Sequence, residues 1–164
     1  MPKKSTMCAE NAFYKARIEA ATCNDCLASR EGAAEEIGID RTRLARVELG
    51  SIVPYPEEVQ LMAEAYGAPQ LANFYCSKVC PLGKHTRPSA ELRDLDSLTI
   101  HVLFALSRAA EIRNKILEVA ATEGETAFEK HSKLIQIMES LESIEVASEE
   151  VRIFIKKHGG GETT

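Results

Sequence analysis

The sequence has 164 residues, with 20 Lys and Arg against 25 Asp and Glu, a net charge of −5, and an apolar content ordinary for a globular chain. It holds no run of about eighteen apolar residues and no basic segment followed by an apolar one, which argues against a membrane span or a secretory leader and for a cytoplasmic protein. Five cysteines (Cys8, Cys23, Cys26, Cys76 and Cys80) in such a chain argue against a disulfide framework.

Residues 1–10 carry no periodic apolar pattern and are expected to form a frayed arm that includes Lys3 and Lys4. Asn11 is suited to cap a first helix with Phe13, Ala16, Ile18, Ala20 and Ala21 at its apolar positions. The polar run Thr22 to Cys26 follows, and the segment 20–28 can either extend that helix or loop out. From Ser29 to Gly50, SREGAAEEIGIDRTRLARVELG reads as two short helices joined by a tight turn. Ala33, Ala34 and Ile37 recur at helical spacing, and Gly38 stands where a chain leaving a helix needs a left-handed residue. Asp40 can cap a second helix over Arg41 to Glu48, with Leu44 and Val47 facing inward and Arg41, Thr42, Arg43 and Arg46 left outside. Small residues at 33 and 34 let the two helices approach closely at a steep crossing.

At these residues the sequence resembles the lambda-repressor-like, XRE-type helix-turn-helix. Ser29, Arg30, Glu31, Ala34, Gly38, Ile39, Arg41, Leu44, Arg46, Glu48 and Gly50 fall in its register without a gap, and RTRLARVELGSIVPYPEEVQLMAEAYGAP continues the similarity. The specific match covers about residues 11–83, and the chain looks like the XRE-type regulators of Gram-positive anaerobes. It departs from them between the first two helices, where 20–28 is several residues longer. The resemblance implies double-stranded DNA as partner, with Arg41, Thr42 and Arg46 at base-contacting positions. Arginine there would favour guanine through N7 and O6, and threonine could meet a base edge or a thymine methyl. Arg43 is better placed for phosphate. Arg30 replaces a glutamine often found in the family and could meet either. Glu48 is a solvated helix-end acid or, as the family pattern suggests, the partner of Arg17.

After Gly50 the two prolines of SIVPYPE mark a loop, and Pro56 opens a helix through Tyr66 with Val59, Met62, Ala63 and Tyr66 on one face. A fifth helix, QLANFYCSKVC, follows Pro69, and KHTRPS reads as a linker. Beyond Ser89, glycine and proline nearly vanish. Ser89, Glu91 and Asp94 suit an acidic first turn, and a seam from Leu95 through Leu98, Val102, Ile112 and Ile116 to Ala120 suggests one long helix. A turn at 123–125 then leads to a helix with Phe128, Leu134, Ile135, Met138 and Leu141 and a third with Val146, Val151, Phe154 and Ile155, before an unstructured end from Gly159. The fold expected is all-α: a five-helix helix-turn-helix domain over 11–83 and a C-terminal helical hairpin or three-helix module over 89–158.

Residues 1–88 balance eleven basic against eleven acidic residues, so the whole net charge belongs to the second half. An acidic half is expected away from phosphates or in a subunit interface. Cys23-x-x-Cys26 and Cys76-x-x-x-Cys80 supply the ligand count of a tetrahedral zinc site. The two pairs lie far apart in sequence, however, and inert thiols are the favoured reading, with no cofactor expected. His85, His101, His131 and His158 form no ligand motif. No glycine-rich phosphate loop, nucleophile elbow or HExxH occurs, so no enzyme and no small-molecule ligand is indicated. The expectation is a sequence-specific DNA-binding transcriptional regulator that acts as a homodimer through its C-terminal helices. The alternative is a protein–protein interaction module that uses the helix-turn-helix as a scaffold. Only DNA binding should weaken steeply with salt.

Overall fold

A computed structural model describes residues 10–121 and 126–159. All but Glu10 of the expected N-terminal arm, the turn at 123–125 and all but the start of the expected C-terminal end lie outside the described residues. Those described are helical, with no strand among them, and the chain divides into two compact units, 1–89 and 90–164. None of the described helices is long and apolar enough to cross a membrane.

Among the described residues the first unit contains five α-helices: α1 (Ala12–Ala20), α2 (Arg30–Ile37), α3 (Arg41–Glu48), α4 (Pro56–Ala65) and α5 (Gln70–Phe74). Asn11 caps α1 by accepting the backbone N–H groups of Phe13 and Tyr14 at 2.9 and 3.2 Å. The segment after it neither extends α1 nor forms a long loop. Asn24 accepts the Cys26 N–H and starts a 3-10 turn, Asp25–Ala28, which drives Leu27 into the core at 1% exposure. Gly32 is required here for space, because a Cβ on it would stand 2.2 Å from the Cys26 carbonyl oxygen. Gly38 adopts φ 77° and ends α2, and its N–H and that of Ile39 both reach the Ala34 carbonyl, at 2.9 and 3.0 Å. Ala33, Ala34, Ile37, Leu44 and Val47 then join Phe13, Val59, Met62, Tyr66 and Leu71 in one core. The fifth helix keeps α-helical spacing only to Phe74 and widens into a π-turn, Tyr75–Val79. The expected linker folds in part as a 3-10 turn, Gly83–His85.

The second unit is a helical hairpin with one interrupted arm. Its first helix begins later than expected: Ser89 and Glu91 precede it, and Asp94 is the cap, accepting the Ser97 N–H and hydroxyl at 2.9 and 2.7 Å. The expected single helix is two, α6 (Leu95–Ser107) and α7 (Ala109–Ala121), parted at Arg108. No glycine or proline marks the break. The Ser107 hydroxyl donates to the Phe104 carbonyl at 2.7 Å, in competition with the helix's own ladder. Conversely, the two helices expected after the turn are one, α8 (Ala127–His158), opened by a Thr126–Glu129 capping box. Ser140 and Ser143 bond back to the carbonyls of Gln136 and Ser140 and continue the helix where a break was expected. At about 1.5 Å per residue, α8 is long enough for both α6 and α7 to pack along it in succession. Glu150, 1% exposed on α8, receives Arg93 Nε at 2.9 Å and lies 2.6 Å from His101 Nδ1, which fixes the register of the two arms.

Candidate nucleic-acid interface

The helix α3 presents two contrasting sides. Leu44, Val47 and Glu48 are at most 1% exposed, whereas Arg41, Thr42 and Arg46 face solvent. Asp40 accepts the Arg43 N–H at 2.9 Å, so the exposed first turn starts from a fixed cap.

The far end of α3 is held by side chains of α1 and α2. Asn11 Nδ2, from the residue that caps α1, donates to the Val47 carbonyl at 3.0 Å. Glu48 is fully buried and accepts Arg17 Nε at 2.5 Å, Arg17 Nη2 at 3.2 Å and Arg30 Nε at 2.6 Å. Arg17 also reaches the carbonyls of Leu27 and Ala28 through Nη1, at 2.8 and 3.1 Å, so one guanidinium ties α1 to both α3 and the turn before α2. Of the two sequence readings of Glu48, the structure therefore has the buried partner of Arg17, not the solvated acid.

A second tether runs from the middle of α3 to α4. Arg43 Nε and Nη2 donate to the two oxygens of Glu58, the latter at 2.8 Å, and the guanidinium lies 4.3 Å from the centre of the Tyr55 ring. Glu58 also accepts the Tyr55 N–H at 2.7 Å. The Arg43 bonds, with the help of that amide, hold the Glu58 carboxyl below its ordinary 4.5 against the opposing effect of burial.

The five basic or polar candidates thus separate. Arg41, Thr42 and Arg46 stand exposed together on α3. Arg30 and Arg43 are about one-third exposed, and each is engaged with a carboxylate, so any contact they made to DNA would be made alongside an ion pair. Sequence spacing did not disclose Asn11 to Val47, Arg30 to Glu48 or Arg43 to Glu58. The one local signal was Glu58 three residues after Tyr55 at a helix start, the spacing of a carboxylate that bonds back to a cap amide.

The four described cysteines form no metal-holding group. Cys23 and Cys26 lie exposed around the 3-10 turn, Cys76 lies within the π-turn and Cys80 just after it, with Cys80 Sγ accepting the Gly83 N–H at 3.4 Å. Among the described residues, no group of three or more His, Cys, Asp or Glu side chains is placed to hold a metal ion.

No curated protein and no solved structure matches the chain. A family model described as a helix-turn-helix domain matches residues 21–73, which span the 3-10 turn, α2, α3, α4 and most of α5 and include the stretch that resembles the XRE-type pattern. Over residues 21–73 the chain is therefore similar to a helix-turn-helix domain.

Proposed function

We propose that the protein is a sequence-specific binder of double-stranded DNA and a transcriptional regulator, with 11–83 as the reading domain and 89–158 as the pairing module of a homodimer. The observation that supports this best is the build of α3, whose inner side is wholly buried while Arg41, Thr42 and Arg46 project together from the outer side. A helix lying in a major groove needs that arrangement, with long donors near its N-terminal end. Arg41 and Arg46 are assigned to base edges, with guanine preferred, and Thr42 to a base edge or a thymine methyl. Arg30 and Arg43 chiefly hold α3 in place and contribute positive potential near the phosphates. One such helix spans only a few base pairs, so two copies presented about one helical turn apart supply the affinity of a regulator.

The test is selection of DNA fragments by the purified protein, followed by titration on the selected site and its single-base variants across salt concentrations. Arg41→Ala and Arg46→Ala are each expected to weaken binding by about 1–3 kcal/mol and to relax preference at one base pair. Affinity should also fall steeply as salt rises. Unchanged affinity and preference in both variants would remove the recognition role from α3. The other reading, a helix-turn-helix used as a protein-binding scaffold, draws on the pairing of Arg30 and Arg43, which narrows the basic face. It requires a partner whose binding is insensitive to these two arginines.

A further inference from the structure

Thirteen large apolar side chains of α6, α7 and α8 are between 42 and 80% exposed, more than a hairpin two helices thick can cover by itself. Five of them share one side where the end of α6 and α7 meet the first half of α8. The seam between the arms includes Ala105, Ile112 and Lys115 on one and Lys133, Ile137 and Ser140 on the other, all buried or half-buried. Leu106, Ile116, Leu134, Met138 and Leu141 each follow a seam residue by one position. A step of one residue is a rotation of about 100° in a fixed sense. Because the arms run antiparallel, that rotation turns both rows toward the same side of the hairpin. Of the residues that precede seam positions and mark the other side, Glu111, Asn114, Ser132, Gln136 and Glu139 are polar, and Phe104 alone is apolar.

We propose that this apolar side is the seat of a second copy of the chain, and that two hairpins pack face to face as an antiparallel four-helix bundle. The proposal deepens the pairing invoked above and rests on it for the choice of a second copy. Three observations support that occupant. A face two helices wide, about 18–20 Å, and as long as α6 and α7 in succession, about 40 Å, has a footprint of ~800 Å², the area a standard interface removes from each partner. Among the described residues, the exposed large apolar side chains of the first unit are few and scattered (Ile18, Val53, Tyr55, Leu61 and Leu82) and make no matching face. Finally, the charges are self-complementary. The contact of His101 with Glu150 sets Arg113 level with Met138 and Glu145 level with Leu106, on either side of the middle of α8. Arg113 and Glu145 also follow seam residues, so a two-fold axis through that middle brings Arg113 of one copy level with the partner's Glu145, twice.

The association is read by sedimentation equilibrium of the full chain without DNA, so its outcome is independent of whether α3 recognises DNA. The chain is expected to be a dimer at about 10 μM, and a monomer at that concentration overturns the proposal. Leu134→Glu with Met138→Glu should raise the dimer dissociation constant at least about a hundredfold with helicity kept, while Gln136→Glu with Glu139→Gln on the other side leaves it unchanged. A dimer indifferent to the first pair, or broken by the second, overturns the assignment of the face. If the apolar variant loses helicity, the charge pair decides. Arg113→Glu should weaken the dimer and Arg113→Glu with Glu145→Arg should restore it, and failure to restore overturns the antiparallel arrangement.

Discussion

Replacing Glu48 by alanine tests the account of how α3 is held. The carboxylate is fully buried and receives three N–H groups, two from Arg17, itself 3% exposed, and one from Arg30. Removing it leaves the Arg17 guanidinium buried, with the Leu27 and Ala28 carbonyls as its remaining hydrogen-bond acceptors and the Tyr14 ring 5.4 Å away. Breaking a buried pair from one side costs about 3–5 kcal/mol, because a charge stays in a poorly polarisable interior. Against a typical stability of about 5–15 kcal/mol this is a large fraction. At roughly 4–8 °C per kcal/mol for a domain of this size, the melting temperature of the first unit should fall by at least about 12 °C. The chain has no tryptophan, and its four tyrosines (Tyr14, Tyr55, Tyr66 and Tyr75) all lie in the first unit, so tyrosine fluorescence follows that unit alone. Replacing both partners, Arg17→Met with Glu48→Leu, removes the uncompensated charge and should lie within about 2 kcal/mol of the parent. The reasoning fails if Glu48→Ala costs less than about 1 kcal/mol, or if the double replacement is as damaging as the single one.

Two glycines separate space from conformation. Gly32→Ala drives a Cβ into the Cys26 carbonyl and should cost about 1–3 kcal/mol, whereas Gly38→Ala meets nothing but must hold φ 77° and should cost about 1 kcal/mol. Urea titrations of both variants give the order, and a larger loss at Gly38 would contradict it. The Glu58 carboxyl titrates below its ordinary 4.5 in the folded chain, so its contribution is complete above that pH and is lost as pH falls through the lowered value. The stability gap between the parent and Glu58→Gln should accordingly narrow below pH 4.5, and a gap constant down to pH 3 would refute the Arg43 tether. Elemental analysis of protein prepared without chelators should find less than one zinc per chain, and a full equivalent that disappears in Cys76→Ser would point to a four-cysteine site.

The helix-turn-helix was legible because its signals are local. Gly38, Asp40 and the spacing of Ala33, Ala34, Leu44 and Val47 each act within a turn or two of chain. The arginine pairs were not, since Arg30 reaches Glu48 and Arg43 reaches Glu58 only after the helices have crossed. An exposed-looking arginine in a sequence gives no sign of a carboxylate eighteen or fifteen positions away. In the second unit, helix ends without glycine or proline defeated spacing in both directions. The heptad seam passes unbroken through Arg108, where the backbone does not, while the apolar positions up to Leu141 and from Val146 suggested two helices although the Ser140 and Ser143 hydroxyls bond back into one continuous α8. The helix starts after Asp94 and not near Ser89, because the Asp94 carboxylate serves both donors of Ser97.

The attachment of α3 at its far end by Asn11, Arg17 and Arg30, and at its middle by Arg43, bears on how selective such a helix can be. A recognition element free to pivot can relax into a mismatched groove and recover part of the lost contact energy. One fixed to three neighbouring helices lacks that escape, and ordering it costs little on association because folding has already done so. If α3 reads DNA as proposed, a mismatch beneath Arg41 or Arg46 would be felt at nearly its full penalty, and discrimination among sites would grow with the rigidity of contacts that touch no base at all.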